Sequence, residues 1–159
     1  MGLILSCENA AAWAAELRAR RLSVVFTNGV FDLLHPGHLR YLSEARRLGD
    51  ALIVAVNSDR SARALEKGPE RPLNHDVERA EVLAALECVD ATVIFDQDTP
   101  HAIVEALQPD VLVKGADWAE GTIVGADIVE ARGGRVVRIP LAEGYSTSGL
   151  IRKIRGEPA

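Results

Sequence analysis

Short, β-branched apolar runs alternate along this chain with longer segments of helical period, and that alternation limits the fold more than any other feature. The runs are Leu22 to Thr27, Ala51 to Asn57, Ala91 to Phe95, Val111 to Lys114 and Val136 to Pro140. Their near-continuous apolarity suits strands covered on both faces, as in a parallel sheet. Between them the spacing predicts helices over Ala10 to Arg21, Pro36 to Leu48, Asp59 to Glu66, Asp76 to Glu87, Pro100 to Leu107 and Val124 to Arg132, with a last one from Thr147 to Arg155. The pattern predicts an open, Rossmann-like α/β sheet with helices on both faces. At 159 residues, 48% of them hydrophobic, the chain fits one domain spanning 1–159 with its own core.

The net charge of −5 argues against a broad surface for nucleic acid or acidic membrane, so neither is expected as a partner. Cys7 and Cys88 are far apart and lack metal-ligand spacing, which points away from a disulfide framework or a zinc site. The apolar start Gly2-Leu3-Ile4-Leu5 stops at Ser6 without a basic flank, and no run nears the roughly 18 apolar residues of a membrane span. These features predict a soluble protein of the reducing cytoplasm.

In open α/β sheets ligands collect beyond the carboxyl ends of the strands, here the segments beginning near Asn28, Asn57, Asp96, Gly115 and Leu141. The first of these reads Asn28-Gly29-Val30-Phe31-Asp32-Leu33-Leu34-His35-Pro36-Gly37-His38 and runs into a helical pattern. Pro36 suits the first helical position, which puts His35 at the cap and His38 in the first turn. Free N–H groups and the positive end of the helix dipole favour a phosphate there, and Gly37 lets a ligand come close to the backbone. A capping His35 beside an incidental His38 is the plainer alternative. Zinc lacks a third His or Cys in suitable context, with only Asp32 nearby.

On the residues Asn28 to Asp32 and His35-Pro36-Gly37-His38, the chain resembles the HxGH nucleotidyltransferase superfamily. The later segments Val56-Asn57-Ser58-Asp59, Lys67 to Pro72, Arg79 to Leu83, Lys114-Gly115-Ala116-Asp117-Trp118 and Gly144-Tyr145-Ser146-Thr147-Ser148 follow the order of that superfamily. They are most similar to the branch that makes ADP-heptose from D-glycero-D-manno-heptose 1-phosphate. The departures are Val30, Ala116 and Ser148, where the branch commonly has Cys, Gly and Thr; Ala116 bears on the acceptor pocket.

The resemblance implies transfer of AMP from ATP to a sugar 1-phosphate, with Mg2+ carried on the triphosphate. It implies catalytic roles for His35, His38 and Lys67. Nucleotide contacts would come from Asn28, Gly29, Phe31, Asp32, Gly37, Asn57, Asp59, Lys114, Gly115, Ser146, Thr147 and Ser148, and acceptor contacts from Arg71, Arg79, Asp117 and Trp118. It is also compatible with a homodimer. Each assignment has a structural rival: a solvated turn for Lys67 and Arg71, a helix-surface ion pair for Arg79, loop packing for Trp118, and a helix cap for Ser146. CTP with glycerol 3-phosphate or another polyol phosphate keeps the chemistry and changes the substrates. A silent nucleotide sensor keeps only the fold. A kinase is disfavoured because no G-x-x-x-x-G-K-[S/T] loop occurs.

Overall fold

The computed structural model describes residues 1–65, 71–119 and 121–156. Six strands form one sheet: β1 (Leu3–Leu5), β2 (Val24–Gly29), β3 (Ala51–Asn57), β4 (Ala91–Phe95), β5 (Val111–Gly115) and β6 (Arg135–Ile139). Their order is β1-β4-β3-β2-β5-β6, with every pair parallel. Among the described residues the helices are α1 (Cys7–Ala19), α2 (Pro36–Arg46), α3 (Asp59–Ala64), α4 (Asp76–Ala84), α5 (His101–Leu107), α6 (Ala126–Ala131) and α7 (Thr147–Ile154). No described helix is long and apolar enough to cross a membrane.

The apolar runs separate cleanly by parity. Val24 and Phe26, Ala51, Ile53 and Ala55, and Ala91, Val93 and Phe95 pack with α1, α5 and α6 in one cluster. Val25, Leu52, Val54 and Val56 face the other way and pack with α2 and α4. A strand whose odd and even residues are both apolar belongs between two helical layers, which is what the unbroken runs predict. Aspartates pin the register where the strands begin: Asp110 accepts from the Val24 N–H at 2.8 Å and Asp90 from the Leu52 N–H at 2.7 Å.

Two boundaries differ from the sequence expectation for a physical reason. Leu3–Leu5 is an edge strand rather than a loose start, paired with β4 through Leu3↔Ala91 and Leu5↔Val93. At three residues it is too short to show a period, and only pairing with a remote strand reveals it. Helix α1 begins at Cys7 rather than Ala10 because Ser6 caps it, accepting from the Asn9 N–H at 3.2 Å.

The chain order places a switch point at the centre of the sheet. From β2 the chain crosses to β3 on one side, and after β4 it returns to β5 on the other. β2 pairs with β5 through Val25↔Val111 and Phe26↔Leu112, so the crevice where ligands are expected lies at the ends carrying Asn28 and Lys114.

Candidate active site

The turn after β2 is shaped by its own residues before any ligand arrives. Phe31 takes φ of +48°, a left-handed conformation that strains an aromatic residue. Its ring folds back over Gly29, where an added Cβ would lie 3.0 Å from the Phe31 Cε2. The following residue, Asp32, is buried and accepts from Arg71 Nε at 2.7 Å, from the Leu73 N–H at 2.8 Å and from the Asn74 N–H at 2.9 Å. This carboxylate fastens the turn to the segment that leads into α4.

Helix α2 then starts as its sequence dictates. His35 is the N-cap, Pro36 occupies the first turn, and His35 Nδ1 accepts from the His38 N–H at 3.3 Å. An accepting Nδ1 places the proton of the neutral ring on Nε2, so His35 has an N–H to donate without carrying charge. Partial burial pushes its pKa below the ordinary value, which keeps it in that neutral form. The His38 ring lies against it, with centroids 3.8 Å apart and planes 17° from parallel. Phe31 meets His38 edge-on at 5.5 Å. Two imidazoles are therefore fixed side by side at a helix amino end, the environment in which phosphate oxygens are stabilised.

These rings open on a cavity of about 610 Å³, ample for a nucleotide with part of an acceptor. Asn28, Gly29, Phe31, Asp32 and Gly37 line it from the first turn, and Asn57 and Arg71 from the neighbouring side. Lys114, Gly115, Asp117 and Trp118 close the β5 side. Lys114 Nζ reaches across to Asn28 Oδ1 and lies 5.3 Å from the centre of the Trp118 ring. The Asp117 carboxylate folds back so closely over Gly115 that a Cβ there would collide with it. Ser146, Thr147 and Ser148 line the far end. Ser146 caps α7 through the Gly149 N–H at 3.0 Å, and Thr147 Oγ1 donates to Leu33 O at 3.3 Å.

Two expected contacts face elsewhere. Arg79 is fully buried on the far side of the turn, donating to Val30 O at 2.6 Å, Asn74 O at 3.0 Å and Asp59 Oδ1 at 2.8 Å. Asp59 is held by that guanidinium and by His75 Nδ1 at 2.9 Å. Burial raises its affinity for a proton, but these hydrogen bonds outweigh that and hold its pKa below the usual range. Both residues therefore brace the site and are absent from its wall. Lys67 lies outside the described residues.

The cavity also contains residues that sequence reasoning did not single out. Tyr41 sits on its floor, its hydroxyl 2.7 Å from Thr27 Oγ1, and burial pushes its pKa up to about 12. Asp98, Thr99 and Pro100 after β4, and Leu141, Ala142 and Tyr145 after β6, also line the cavity. The strand-end rule points to both segments, but nothing in their composition says which side chains turn inward.

A parallel sheet whose switch-point crevice meets a helix start carrying two histidines has the architecture of a nucleotidyltransferase. The chain belongs to the cytidylyltransferase-like family, whose sequence profile matches residues 26–152. It is 56% identical over 137 residues to the bifunctional protein HldE of Syntrophotalea carbinolica, covering 86% of this chain and 28% of that protein. Against the bifunctional protein HldE of Azorhizobium caulinodans it is 51% identical over 154 residues, covering 97% and 32%. The chain thus spans under a third of the length of these relatives. Among solved structures, the lipopolysaccharide core biosynthesis protein from Thermoplasma volcanium superposes with a TM-score of 0.67 and 29% identity, covering 77% of this chain and 99% of that one. Pantoate-beta-alanine ligase from Francisella tularensis shares the fold, with a TM-score of 0.63 at 14% identity over 94% of this chain and 70% of its own.

Proposed function

We propose that this domain transfers AMP from ATP to D-glycero-D-manno-heptose 1-phosphate, giving ADP-heptose and pyrophosphate. The observation that carries the chemistry is the stacked pair of imidazoles at the amino end of α2, inside the switch-point cavity. The choice of acceptor is supported by the resemblance of Lys67 to Pro72, Lys114 to Trp118 and Gly144 to Ser148 to that branch. Relatives named HldE and the lipopolysaccharide core biosynthesis protein point the same way.

In this reading an acceptor phosphate oxygen attacks the α-phosphorus directly. An ionised phosphate is already nucleophilic, so no strong general base is needed, and positioning with charge stabilisation lowers the barrier. His35 donates through Nε2, and His38 beside it donates to the α- and β-phosphate oxygens as charge grows on the leaving group. Lys67 orients the phosphates, and Ser146, Thr147 and Ser148 hold the outer end. Asn28, Lys114 and Gly115 form the nucleotide wall, with Arg71, Asp117 and Trp118 toward the acceptor. Magnesium carried on the triphosphate would supply charge neutralisation at the phosphate oxygens, with no carboxylate cluster of the described residues needed to hold it. ATP-fed sugar activation of this kind belongs in the cytoplasm.

The deciding experiment is a matrix of nucleoside triphosphates against sugar and polyol phosphates, read by pyrophosphate release and product mass. ATP with the heptose 1-phosphate should exceed every other pair. Faster release from CTP with glycerol 3-phosphate removes the heptose assignment and leaves nucleotidyl transfer. Binding of triphosphate with no release from any pair makes the domain a sensor.

A further inference from the structure

The segment between β6 and α7 contributes more than hydroxyls to the cavity. Tyr145 lies parallel to His35, with centroids 6.1 Å apart and planes 21° from parallel. The Arg40 guanidinium carbon also stands over the Tyr145 ring, 5.4 Å from its centre. Both separations fall within the range in which such rings and cations attract. With the His35 and His38 pair at 3.8 Å, the four side chains form a run of successive contacts: Arg40, Tyr145, His35, His38.

Gly37 leaves room for the contact between His35 and Tyr145. A Cβ at that position would lie 3.0 Å from His35 Cε1 and Nδ1 and 3.1 Å from Tyr145 Cβ. The glycine therefore vacates the space in which His35 and the Tyr145 stem approach each other, in addition to any room it leaves for a ligand.

We propose that Tyr145 is a positioning residue for the catalytic imidazoles, a role that rests on the transfer reaction proposed above. Arg40 ties the Tyr145 segment to α2 and Leu33 ties it to the turn before that helix, since Thr147, two residues on, donates to Leu33 O. Ser146, between them in sequence, caps α7. One ring thus couples the hydroxyls that would meet the outer phosphates to the imidazoles that would meet the α-phosphate. Packed nearly parallel to His35, it also holds that ring in the orientation its Nδ1 cap requires and adds to the partial burial that disfavours its charged form.

Two readouts test this in the full chain: steady-state transfer, and titration of the His35 ring by NMR in the substrate-free protein. Tyr145→Phe keeps the ring and should leave both as in wild type. Tyr145→Leu should lower kcat about tenfold with little change in the KM for ATP, and the His35 titration should move up toward its ordinary value. Tyr145→Ser removes the same ring at a position 40% exposed to solvent and should move the same titration in the same direction, so the test survives if the Leu variant folds poorly. An unchanged His35 titration in Tyr145→Leu overturns the proposal, whether the KM rises or kcat stays at the wild-type level. The titration needs no substrate. If it shifts while no donor and acceptor pair turns over, the packing role stands and the transfer reading fails.

Discussion

Asp32 Oδ2 and Arg71 Nε are 2.7 Å apart in a pair almost sealed from solvent, with side-chain exposures of 0% and 7%. Asp32 belongs to the turn that follows β2 and Arg71 to the segment that enters α4. The same carboxylate accepts from the backbone of Leu73 and Asn74, so a single residue aligns two stretches of the cavity wall.

Removing that carboxylate strands a buried guanidinium and two backbone donors. Asp32→Ala is expected to destabilise the domain by about 3–5 kcal/mol, the range for a broken buried ion pair. Asp32→Asn should lose less, because its amide oxygen still accepts from the backbone. Urea unfolding measures both, and a loss below about 1 kcal/mol in the Ala variant would show that the pair does not hold the turn.

The layered sheet was legible because burial on both faces writes itself into each run: Ala51 to Val56 is apolar at every position, whichever side it faces. The histidine turn was legible because strand end, Pro36 and helix start are consecutive in sequence. Arg79 was read toward the acceptor because a sequence shows a charge but not its partner, and here the partner is Asp59, one helix earlier. Tyr41 and Tyr145 went unassigned for a related reason. Their direction is set by Thr27, His35 and Arg40, contacts between residues that no local pattern links.

His38→Ala is expected to lower kcat by about 10²-fold with the fold intact, the usual cost of one preorganised donor. His35→Ala should lose a similar factor together with about 1 kcal/mol of stability from the missing cap. His35→Asn separates the two effects, since asparagine caps well but supplies no imidazole. It should melt near wild type and remain slow. Recovery of full turnover in the Asn variant would make the His35 side chain a cap alone.

Thr27 and Tyr41 satisfy each other's hydroxyls at 2.7 Å beneath the cavity. Thr27→Val or Tyr41→Phe leaves one buried hydroxyl without its partner and should cost about 1–3 kcal/mol. The double variant removes both polar groups and is expected to be no less stable than the worse single change. A strictly additive double-mutant cycle would mean that the two hydroxyls act independently.

Stability should also fall away on both sides of mildly acidic pH, through two histidines shifted in opposite directions. His75 donates to Asp59, and that hydrogen bond, with the charges of Asp59, Glu78 and Asp76, raises its pKa above 6.5. The folded state thus binds the proton more tightly than the unfolded chain. The benefit is fully present below about pH 6.5 and is lost as pH rises through the folded pKa. His35 runs the other way. Its pKa is lowered by burial, so acidification from about pH 6.5 through the folded pKa favours the unfolded chain, and its protonated Nδ1 could no longer accept from the His38 N–H. Melting temperatures of wild type, His75→Asn and His35→Asn across about pH 5.5–8.5 test the assignment. His75→Asn should flatten the alkaline limb alone and His35→Asn the acid limb alone. If the alkaline limb persists in His75→Asn, the His75 and Asp59 contact does not contribute to folding, and another group must account for that slope.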